Sequence, residues 1–518
     1  MVWTIDGPQG NESAKVKYDI VPYTRGRVLD LGCGPFKAFP HFIGVDNGHH
    51  DQQFGWQNKA DVIVDSCENL ELFASQSMDA VFSSHLLEHI QDYEKALKEW
   101  YRVVKPGGYL ILYLPHKKFY PNIGEEGSNP DHKHDFEPED IVEAMKNIGG
   151  FDLIRNDERN DGFEYSFLQV FKKITTKKHF FTCFKPKPEK RCAVIRYGGF
   201  GDLIQASSIF PGLKKQGYHL TLFTTPNGYD IVRNDPNIDA VVLQDKNQVP
   251  NDELGAFWDV IEKRYDKVVN LSESVEGHLL TFEGPGRVNN RWPEHIRREL
   301  LDVNYLEWTH KLADVPLPAK QKFYPANQEK EWAQKERKAM GDDSYVIMWV
   351  LAGSSVHKTW PHLDEVLAKL MLNDKKVKVV LIGDDFCRLL EAGWEDEERV
   401  ICRSGEWNIR ETMAFAYECD MVVGPETGVL NAAGLLPIPK LCFLSHSSAE
   451  NLTKHWVKAV PLIPKTACHP CHRMHYNFDN CIQEPTTGSS QCMYDISGEE
   501  VYKAITDSMV KIWPLQVA

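Results

Sequence analysis

One stretch, Cys192 to Pro211, constrains the fold of this chain more than any other. An apolar run, Cys192 to Ile195, is followed by the glycine-rich turn Gly198-Gly199-Phe200-Gly201, by Asp202 and then by apolar residues at helical spacing. This order predicts a strand, a tight turn and the opening of a helix, because glycine permits positive φ and close approach of a ligand. Asp202 is then expected in the cleft beyond the carboxyl end of the strand, where a carboxylate can act as a base. The same pattern also fits an ordinary helix-capping aspartate.

Strand and helix patterns alternate from this stretch onward, and a second series begins at Tyr345. Such alternation predicts two α/β half-domains with parallel sheets. In the second series, small-residue turns at Gly353 to Ser355 and at Thr427-Gly428 offer backbone N–H groups at helix starts, and Lys358 offers a point charge. Together they can hold a diphosphate. Two facing half-domains, one with a base and one with a diphosphate cradle, form the GT-B glycosyltransferase arrangement.

The region Arg191–Trp513 resembles the ADP-heptose:lipopolysaccharide heptosyltransferases, a family of inverting glycosyltransferases. The motifs that carry the resemblance are Gly201-Asp202, the loop from Gly353 to Trp360-Pro361, and the segment VGPETGVLNAAGLLPIP. The resemblance implies that Asp202 is the general base. It also implies a nucleotide-sugar site made of Gly201, Gly353, Ser354, Ser355, Lys358, Glu426, Thr427, Gly428 and Asn431.

Two residues of this segment depart from the family pattern. Glu426 stands where an aspartate is usual, and Asn431 stands where a histidine is usual. Both positions lie near the donor sugar in that family, so the departures bear on the identity of the transferred sugar more than on the reaction type.

The first third of the chain also has α/β character. Val28 to Leu31 predicts a buried strand that turns at Gly32-Cys33-Gly34, and the next apolar run, Phe42 to Val45, ends at Asp46. An acid at that point is placed to accept hydrogen bonds from a ribose diol. Further strands are predicted over Asp61–Asp65 and Met78–Ile90, the latter running into a helix, and after the Pro-Gly-Gly turn in Arg102–Pro115.

These motifs resemble the class I, "type 11", methyltransferases that use S-adenosyl-L-methionine, over about Val21 to Phe171. The resemblance implies a Rossmann-like domain that binds this cofactor through Asp30, Gly32, Gly34, Asp46, Asp65, Ser66, Ser84 and His85. The base that takes the acceptor's proton is open among three histidines of the loop after the fifth strand, namely His116, His132 and His134. Asp131 and Asp135 next to two of them could instead bind a cation, although such a polar loop is more often simply solvated.

Four cysteines cluster near the end of the chain. Cys468 and Cys471 form a CxxC pair, and Cys481 and Cys492 follow. This spacing can hold a structural zinc ion, while two disulfides or free thiols are the alternatives.

The length of 518 residues predicts several domains. We expect a methyltransferase domain at 1–173, a linker at 174–190, an acceptor-side half-domain at 191–340 and a nucleotide-sugar half-domain with the cysteine-rich tail at 341–518. The start of the chain does not read as a signal peptide, and no apolar run is long enough to span a membrane, so a cytoplasmic protein is predicted. The net charge of −15 makes a nucleic-acid partner the weaker expectation.

The sequence therefore predicts a bifunctional transferase. One part would transfer a sugar from a nucleotide-diphosphate donor of the ADP-heptose kind to a glycan or small hydroxyl acceptor, and the other would add a methyl group, both on one glycan. The alternatives are hypermodification of a DNA base by a viral enzyme, or a scaffold or binding module with one inactive half. The sequence does not predict the oligomeric state.

Overall fold

The computed structural model describes residues 11–49, 57–161, 163–174, 190–284, 286–317, 323–353, 355–474, 478 and 481–510. The chain forms two compact units. The first comprises residues 1–189 and 244–264, and the second comprises residues 190–243 and 265–518. Most of the linker expected at 174–190 lies outside the described residues.

The first unit is built on a seven-stranded sheet with the order β3-β2-β1-β4-β5-β7-β6. Strands β1 to β5 are parallel, and β7 runs antiparallel to both β5 and β6. The strands are β1 Val28–Leu31, β2 Ile43–Asp46, β3 Val62–Ile63, β4 Met78–Ser84, β5 Val104–Pro115, β6 Phe151–Arg159 and β7 Ser166–Lys173. The prediction of a Rossmann-like α/β domain is confirmed.

The helices of the first unit cover this sheet and its edges. They are Lys17–Ile20, Tyr93–Val103, Pro138–Ile148 and Leu254–Glu262, with 3-10 turns at Glu12–Lys15, Val21–Tyr23 and Leu87–His89. A buried apolar cluster that includes Leu29, Val81, Trp100 and Phe167 forms the core.

The Pro-Gly-Gly segment does not precede the fifth strand as expected but lies inside it. The register between β4 and β5 jumps from the pair Met78–Val104 to the pair Ala80–Tyr109, so three extra residues of β5 bulge out of the ladder. Gly107 takes a φ of +82° within this bulge, a conformation that glycine adopts without strain.

Residues 244–264 were expected inside the half-domain at 191–340, yet they pack within the first unit. Lys17 Nζ bonds Glu253 Oε2 at 2.9 Å, and Arg264 pairs with the buried carboxylate of Asp19. Arg155 also binds that carboxylate, at 2.6 Å. These ion pairs join residues far apart in sequence, which explains why no local pattern predicts the placement of this segment.

The second unit contains two parallel sheets. One has four strands in the order β10-β9-β8-β11, and the other has six in the order β14-β13-β12-β15-β16-β17. The four are β8 Arg191–Ile195, β9 His219–Thr224, β10 Ala240–Leu243 and β11 Lys267–Asn270. The six are β12 Tyr345–Val350, β13 Val377–Ile382, β14 Val400–Cys402, β15 Met421–Pro425, β16 Lys440–Phe443 and β17 Ala459–Leu462.

Helices of the second unit flank both sheets. They are Phe200–Ser207, Phe210–Lys215, Pro226–Val232, Glu294–Leu301, Tyr305–Ala313, Asn327–Ala339, Leu363–Asn373, Arg388–Glu391, Ile409–Phe415, Gly428–Ala433, Ala449–Leu452, Gln491–Tyr494 and Gly498–Val510. Short 3-10 turns lie at Val288–Arg291, Val356–Lys358 and Asp385–Cys387. Two Rossmann-like half-domains are thus present, as predicted. No helix among the described residues is both long and apolar enough to cross a bilayer.

Candidate functional site

A cleft in the second unit lies where the carboxyl ends of its two parallel sheets meet. Its volume is about 650 Å³. Parallel α/β sheets bind their ligands at this edge, because the loops after each strand carry the polar groups. The residues predicted from sequence that line the cleft are Gly201, Asp202, Gly353, Lys358, Glu426, Thr427, Gly428 and Asn431.

Asp202 is held by two neighbours in the first turn of the helix Phe200–Ser207. Its Oδ2 accepts a hydrogen bond of 2.8 Å from the Gly199 backbone N–H, and its Oδ1 pairs with Arg196 Nη2 at 2.9 Å. Arg196 is buried and also binds both carboxylate oxygens of Glu276, at 2.7 and 3.0 Å. Burial alone would lower the pKa of Arg196, but Asp202 and Glu276 raise it, so the guanidinium stays charged. Asp202 keeps about a third of its side chain exposed toward the cleft.

The sequence analysis missed Arg196 and Glu276. Arg196 directly follows β8, and an arginine at the carboxyl end of a strand beside a predicted base is a signal that could have been used. Glu276 lies 80 positions away in sequence, so only the fold reveals its role.

The glycines of the turn before Asp202 are required for space and not for positive φ. Gly199 has a φ of −74°. A Cβ on Gly198 would lie 2.6 Å from Asp202 Oδ2, and one on Gly201 would lie 3.0 Å from the Gly428 Cα. The first turns of the helices Phe200–Ser207 and Gly428–Ala433 are therefore in contact at Gly201 and Gly428, and both glycines line the cleft.

Lys358 lies across the cleft at the end of a 3-10 turn. Its Nζ donates to the backbone carbonyl of Glu426 at 3.0 Å, and it has no carboxylate partner within ion-pair distance among the described residues. Burial lowers the pKa of Lys358, and the nearby Glu426 carboxylate only partly offsets this. A bound anion would favour the charged ammonium form, so this lysine is suited to a phosphate.

Glu426 is buried, and its carboxylate is hydrogen-bonded to neighbouring residues of the protein. Oε1 accepts hydrogen bonds from the Ser447 backbone N–H and the Ser445 Oγ, both at 3.2 Å, and Oε2 lies 3.1 Å from His446 Nε2. The carboxylate orders the loop after β16. Asn431 follows one turn later, and its Nδ2 lies close to Gly201.

Ser354 and Ser355 are the two remaining residues predicted to bind the nucleotide sugar. Ser355 does not line the cleft, and its hydroxyl bonds His357 Nδ1 at 2.7 Å. Ser354 lies outside the described residues. Apolar and polar residues that the sequence analysis did not select complete the lining, among them Ile382, Asp384, Trp407 and Thr412.

In the first unit, the residues expected to hold the methyl donor surround the carboxyl ends of β1 and β2. Gly32 and Gly34 take φ values of +69° and +49°, which side chains rarely adopt. Asp46 accepts hydrogen bonds from the backbone N–H groups of Gly34 and Gly48 and from Asn58 Nδ2, at 2.8 to 3.0 Å. A carboxylate has about four acceptor positions, so one remains for a hydroxyl. The residues thus fit a nucleoside ligand.

The other donor-site candidates are spread along this edge of the sheet. Asp30 is buried, accepts from the Ala38 backbone N–H at 2.7 Å, and has its pKa raised to about 7 by burial. Ser84 Oγ is buried and has no hydrogen-bond partner within the described part of the chain. His85 takes a left-handed φ of 49° and contacts Ser166 Oγ at 2.9 Å. Asp65 and Ser66 are exposed.

The three histidines considered as bases have different contacts in the structure. His116 is buried, and its Nδ1 accepts from the Lys118 backbone N–H at 3.1 Å. His134 Nε2 bonds the Gln91 carbonyl at 3.2 Å. His132 Nε2 lies 4.0 Å from Glu88 Oε1, in the 3-10 turn that follows β4. Burial lowers the pKa of His132 and raises the pKa of Glu88 to about 8.

The four C-terminal cysteines line one cavity of about 90 Å³ in the second unit. None of the four forms a disulfide bond in the described structure. Burial raises the pKa of Cys471 to about 12 and the pKa of Cys492 to about 11, so these thiols are protonated at neutral pH without a bound cation. Their sulfur atoms do not form a group within 4.8 Å of one another in the described structure.

Residues 29–112 match the family model described as a methyltransferase domain. The chain is 25% identical over 189 residues to the sterol 24-C-methyltransferase of Aspergillus fumigatus, an alignment that covers 30% of this chain and 49% of that protein. It is 29% identical over 160 residues to an S-adenosyl-L-methionine-dependent Diels-Alderase of Talaromyces variabilis, covering 28% and 51%. The chain spans about half the length of these curated relatives.

Among solved structures, the chain is similar to the E. coli ADP-heptose lipopolysaccharide heptosyltransferase II. The TM-score is 0.43 and the identity is 15%, with 62% of this chain and 99% of that chain covered. A TM-score this low carries no information about chemistry. The methyltransferase family recognised from sequence is therefore matched over residues 29–112.

Proposed function

We propose that the chain is a bifunctional transferase. Its second unit transfers a sugar, with inversion, from a nucleotide-diphosphate donor of the ADP-heptose kind to a hydroxyl acceptor, and its first unit adds a methyl group to the same glycan. The observation that carries the glycosyl-transfer half is that the carboxylate of Asp202 and the amine of Lys358 line one cleft at the carboxyl ends of two parallel sheets. Within the second unit, acceptor binding is assigned to residues 191–243 and 265–340, and donor binding to residues 341–518.

Each side of the cleft has a separate chemical task. Asp202 takes the proton of the acceptor hydroxyl, whose oxygen then bonds to the anomeric carbon while the bond from that carbon to the diphosphate breaks. The negative charge on the leaving diphosphate is stabilised by Lys358 and by the backbone N–H groups near Gly353 and Thr427. Arg196 and the Gly199 N–H hold the Asp202 carboxylate in one orientation, so the base does not have to be ordered during the reaction.

Replacing Lys358 tests the phosphate assignment. We expect Lys358→Met to weaken ADP binding about 10- to 100-fold, because a hydrogen bond to a charged group contributes about 1.5–3 kcal/mol. Calorimetric titration with ADP measures this. Lys369→Met is the matched control, since Lys369 pairs with Glu365 and Glu499 on the surface. Equal ADP affinity in wild type and Lys358→Met would remove the phosphate role.

In the methyltransferase domain, S-adenosyl-L-methionine supplies the methyl group when it is bound. The Gly32–Gly34 turn leaves room for the donor, Asp46 offers a hydrogen-bond acceptor, and the buried Ser84 hydroxyl is available for a further contact. His85 directly follows β4, and His132 lies in a loop whose backbone is hydrogen-bonded to the turn after β4. The proposal for this half depends on the domain match and on the fit of these residues.

Gly32→Ala is expected to abolish the stabilisation that S-adenosyl-L-methionine gives. A Cβ at Gly32 would lie 2.9 to 3.0 Å from the Leu86 side chain, in addition to the strain of a φ of +69°. Gly107→Ala is the control, because Gly107 has a φ of +82° but nothing within 4 Å of an added Cβ. A ligand at 100 times its Kd adds about 2.7 kcal/mol, which thermal unfolding resolves. If wild type shows no shift with the donor, the methyl-transfer half of the proposal fails.

The cavity lined by Cys468, Cys471, Cys481 and Cys492 is the proposed place of a structural zinc ion. Support comes from the four cysteines that line one small cavity, since four thiolates are a donor set that zinc prefers. The sulfur atoms would have to draw closer to bind one ion.

A further inference from the structure

A buried carboxylate without a hydrogen-bond partner lies beside the methyl-donor edge of the first unit. Glu88 belongs to the 3-10 turn Leu87–His89, which follows β4, and its side chain has no solvent exposure. Neither Oε1 nor Oε2 of Glu88 makes a hydrogen bond within the described structure. Burying such a group costs several kcal/mol unless a partner or a cation compensates.

Imidazoles surround this carboxylate at distances too long for hydrogen bonds. His89 Nε2 and His132 Nε2 lie 3.9 and 4.0 Å from Glu88 Oε1. His85 Nδ1 lies 3.8 Å from the same oxygen, and its other ring nitrogen contacts Ser166. The ligand atoms of Glu88, His89 and His132 all lie within 4.8 Å of one another, the one such group in the described part of the chain.

The backbone brings these side chains together. The N–H groups of Lys133 and His134 both donate to the Glu88 carbonyl, at 2.7 and 3.2 Å. These bonds fasten the loop that carries His132 to the turn that carries Glu88 and His89. The rings of His89 and His132 meet edge to face with centroids 4.7 Å apart. The cluster is therefore a feature of the fold and does not depend on mobile surface side chains.

One metal ion can join these side chains after a small movement. An ion bound at about 2.1 Å in tetrahedral or octahedral geometry holds neighbouring ligand atoms about 3.0–3.4 Å apart. Glu88 Oε1 lies 3.9 and 4.0 Å from the two imidazole nitrogens, so each of these contacts would shorten by about 1 Å or less. Two imidazoles and one carboxylate form a donor set that first-row divalent cations bind while keeping open positions. His89 keeps 31% of its side chain exposed, whereas Glu88 and His132 are buried, so the open side faces the His89 edge.

We propose that Glu88, His89 and His132 bind a divalent first-row cation whose open positions take oxygen ligands. The ligand class on the open side is water or a hydroxyl of the methyl acceptor. This last assignment rests on the proposed methyl transfer, whereas the binding of the ion does not. It narrows the acceptor to a molecule with oxygen donors, such as a sugar hydroxyl.

Manganese is the probe that tests the site, because the thiolates of the cysteine cavity bind Mn²⁺ poorly whereas carboxylate and imidazole bind it. The full-length chain is freed of metal with a chelator and titrated with Mn²⁺, and free Mn²⁺ is read by electron paramagnetic resonance. We expect one Mn²⁺ per chain in wild type. Glu88→Gln and His132→Ala should lose that site, and His134→Ala, two positions away in the same loop, should retain it.

A further variant, His89→Ala, keeps the test informative if the substitutions at the buried Glu88 and His132 misfold the chain. His89→Ala removes a half-exposed ligand and should lower Mn²⁺ affinity at least about tenfold without loss of circular dichroism signal or of S-adenosyl-L-methionine stabilisation. Retention of wild-type Mn²⁺ affinity in both His89→Ala and His132→Ala, or no stoichiometric binding in wild type, would overturn the proposal. If the chain binds Mn²⁺ but S-adenosyl-L-methionine does not raise its melting temperature, the metal site stands and the proposed methyl transfer is rejected. Failure of the metal proposal is therefore distinguishable from failure of the proposed function.

Discussion

Asp202→Asn is expected to lower glycosyl transfer about 10³-fold while the chain folds and binds ADP as wild type does. A positioned general base contributes about 10² to 10⁴ to a rate. The asparagine oxygen can still accept the hydrogen bond from the Gly199 N–H. Arg196 loses its contact with residue 202 but keeps both bonds to Glu276. The substitution therefore removes the proton acceptor with little change in packing. Release of nucleotide diphosphate in the presence of donor and acceptor measures the effect.

Glu276→Gln is the matched control for this experiment. It removes one negative charge from the same buried arginine but leaves the Asp202 carboxylate in the cleft. We expect turnover to fall less than about tenfold. Equal losses in Glu276→Gln and Asp202→Asn would contradict the base assignment, because they would show that the charge balance around Arg196 matters and the identity of the proton acceptor does not.

Much of the fold follows from local patterns in the sequence. The strand predicted over Val28–Leu31 is β1, and the second α/β series predicted to begin at Tyr345 opens with the strand Tyr345–Val350, whose continuous apolar run is typical of a buried parallel strand. The predicted placement of acids and small residues after strands also agrees with the lining of the cleft, because the carboxyl ends of parallel strands share one edge.

Features that depend on long-range contacts could not be read in this way. The pairing of Arg196 with Glu276 and the approach of His132 to Glu88 join residues from different loops. The glycines near Asp202 illustrate a subtler limit. Their presence in the sequence predicts a turn that needs glycine. The sequence does not say whether the need is for positive φ or for space, because the helix that requires the space begins at Gly428, which is distant in sequence.

Arg410 is expected to be the most important single polar side chain for the stability of the second unit. It is 2% exposed, and its guanidinium bonds both carboxylate oxygens of Glu329 at 2.6 and 2.8 Å. It also donates to the backbone carbonyls of Asp230, Ile231 and Tyr324. These bonds join the helix Pro226–Val232 beside the four-stranded sheet to a helix beside the six-stranded sheet.

Arg410→Met should lower the free energy of unfolding of this unit by about 3–5 kcal/mol, because it leaves the Glu329 carboxylate and three carbonyls without their buried donor. Arg233→Met is the control. Arg233 binds the same Glu329 oxygen at 3.1 Å but is 44% exposed, so we expect about 1 kcal/mol or less. Hydrogen exchange of the helix Asn327–Ala339 in urea measures the stability of this unit apart from the first.

The pH dependence gives this prediction a second, independent readout. Burial by itself would raise the pKa of Glu329, but the hydrogen bonds from Arg410 and the Ala326 backbone N–H lower it to about 2 from an ordinary value of 4.5. A carboxyl group whose pKa is lowered in the folded state stabilises that state fully above about pH 4.5, and the contribution is lost as the pH falls toward 2. The stability gap between wild type and Arg410→Met should therefore be largest near neutral pH and narrow across this window. A gap that stays constant with pH would mean that Arg410 acts through packing, including its contact with the Phe323 ring, and not through the Glu329 charge.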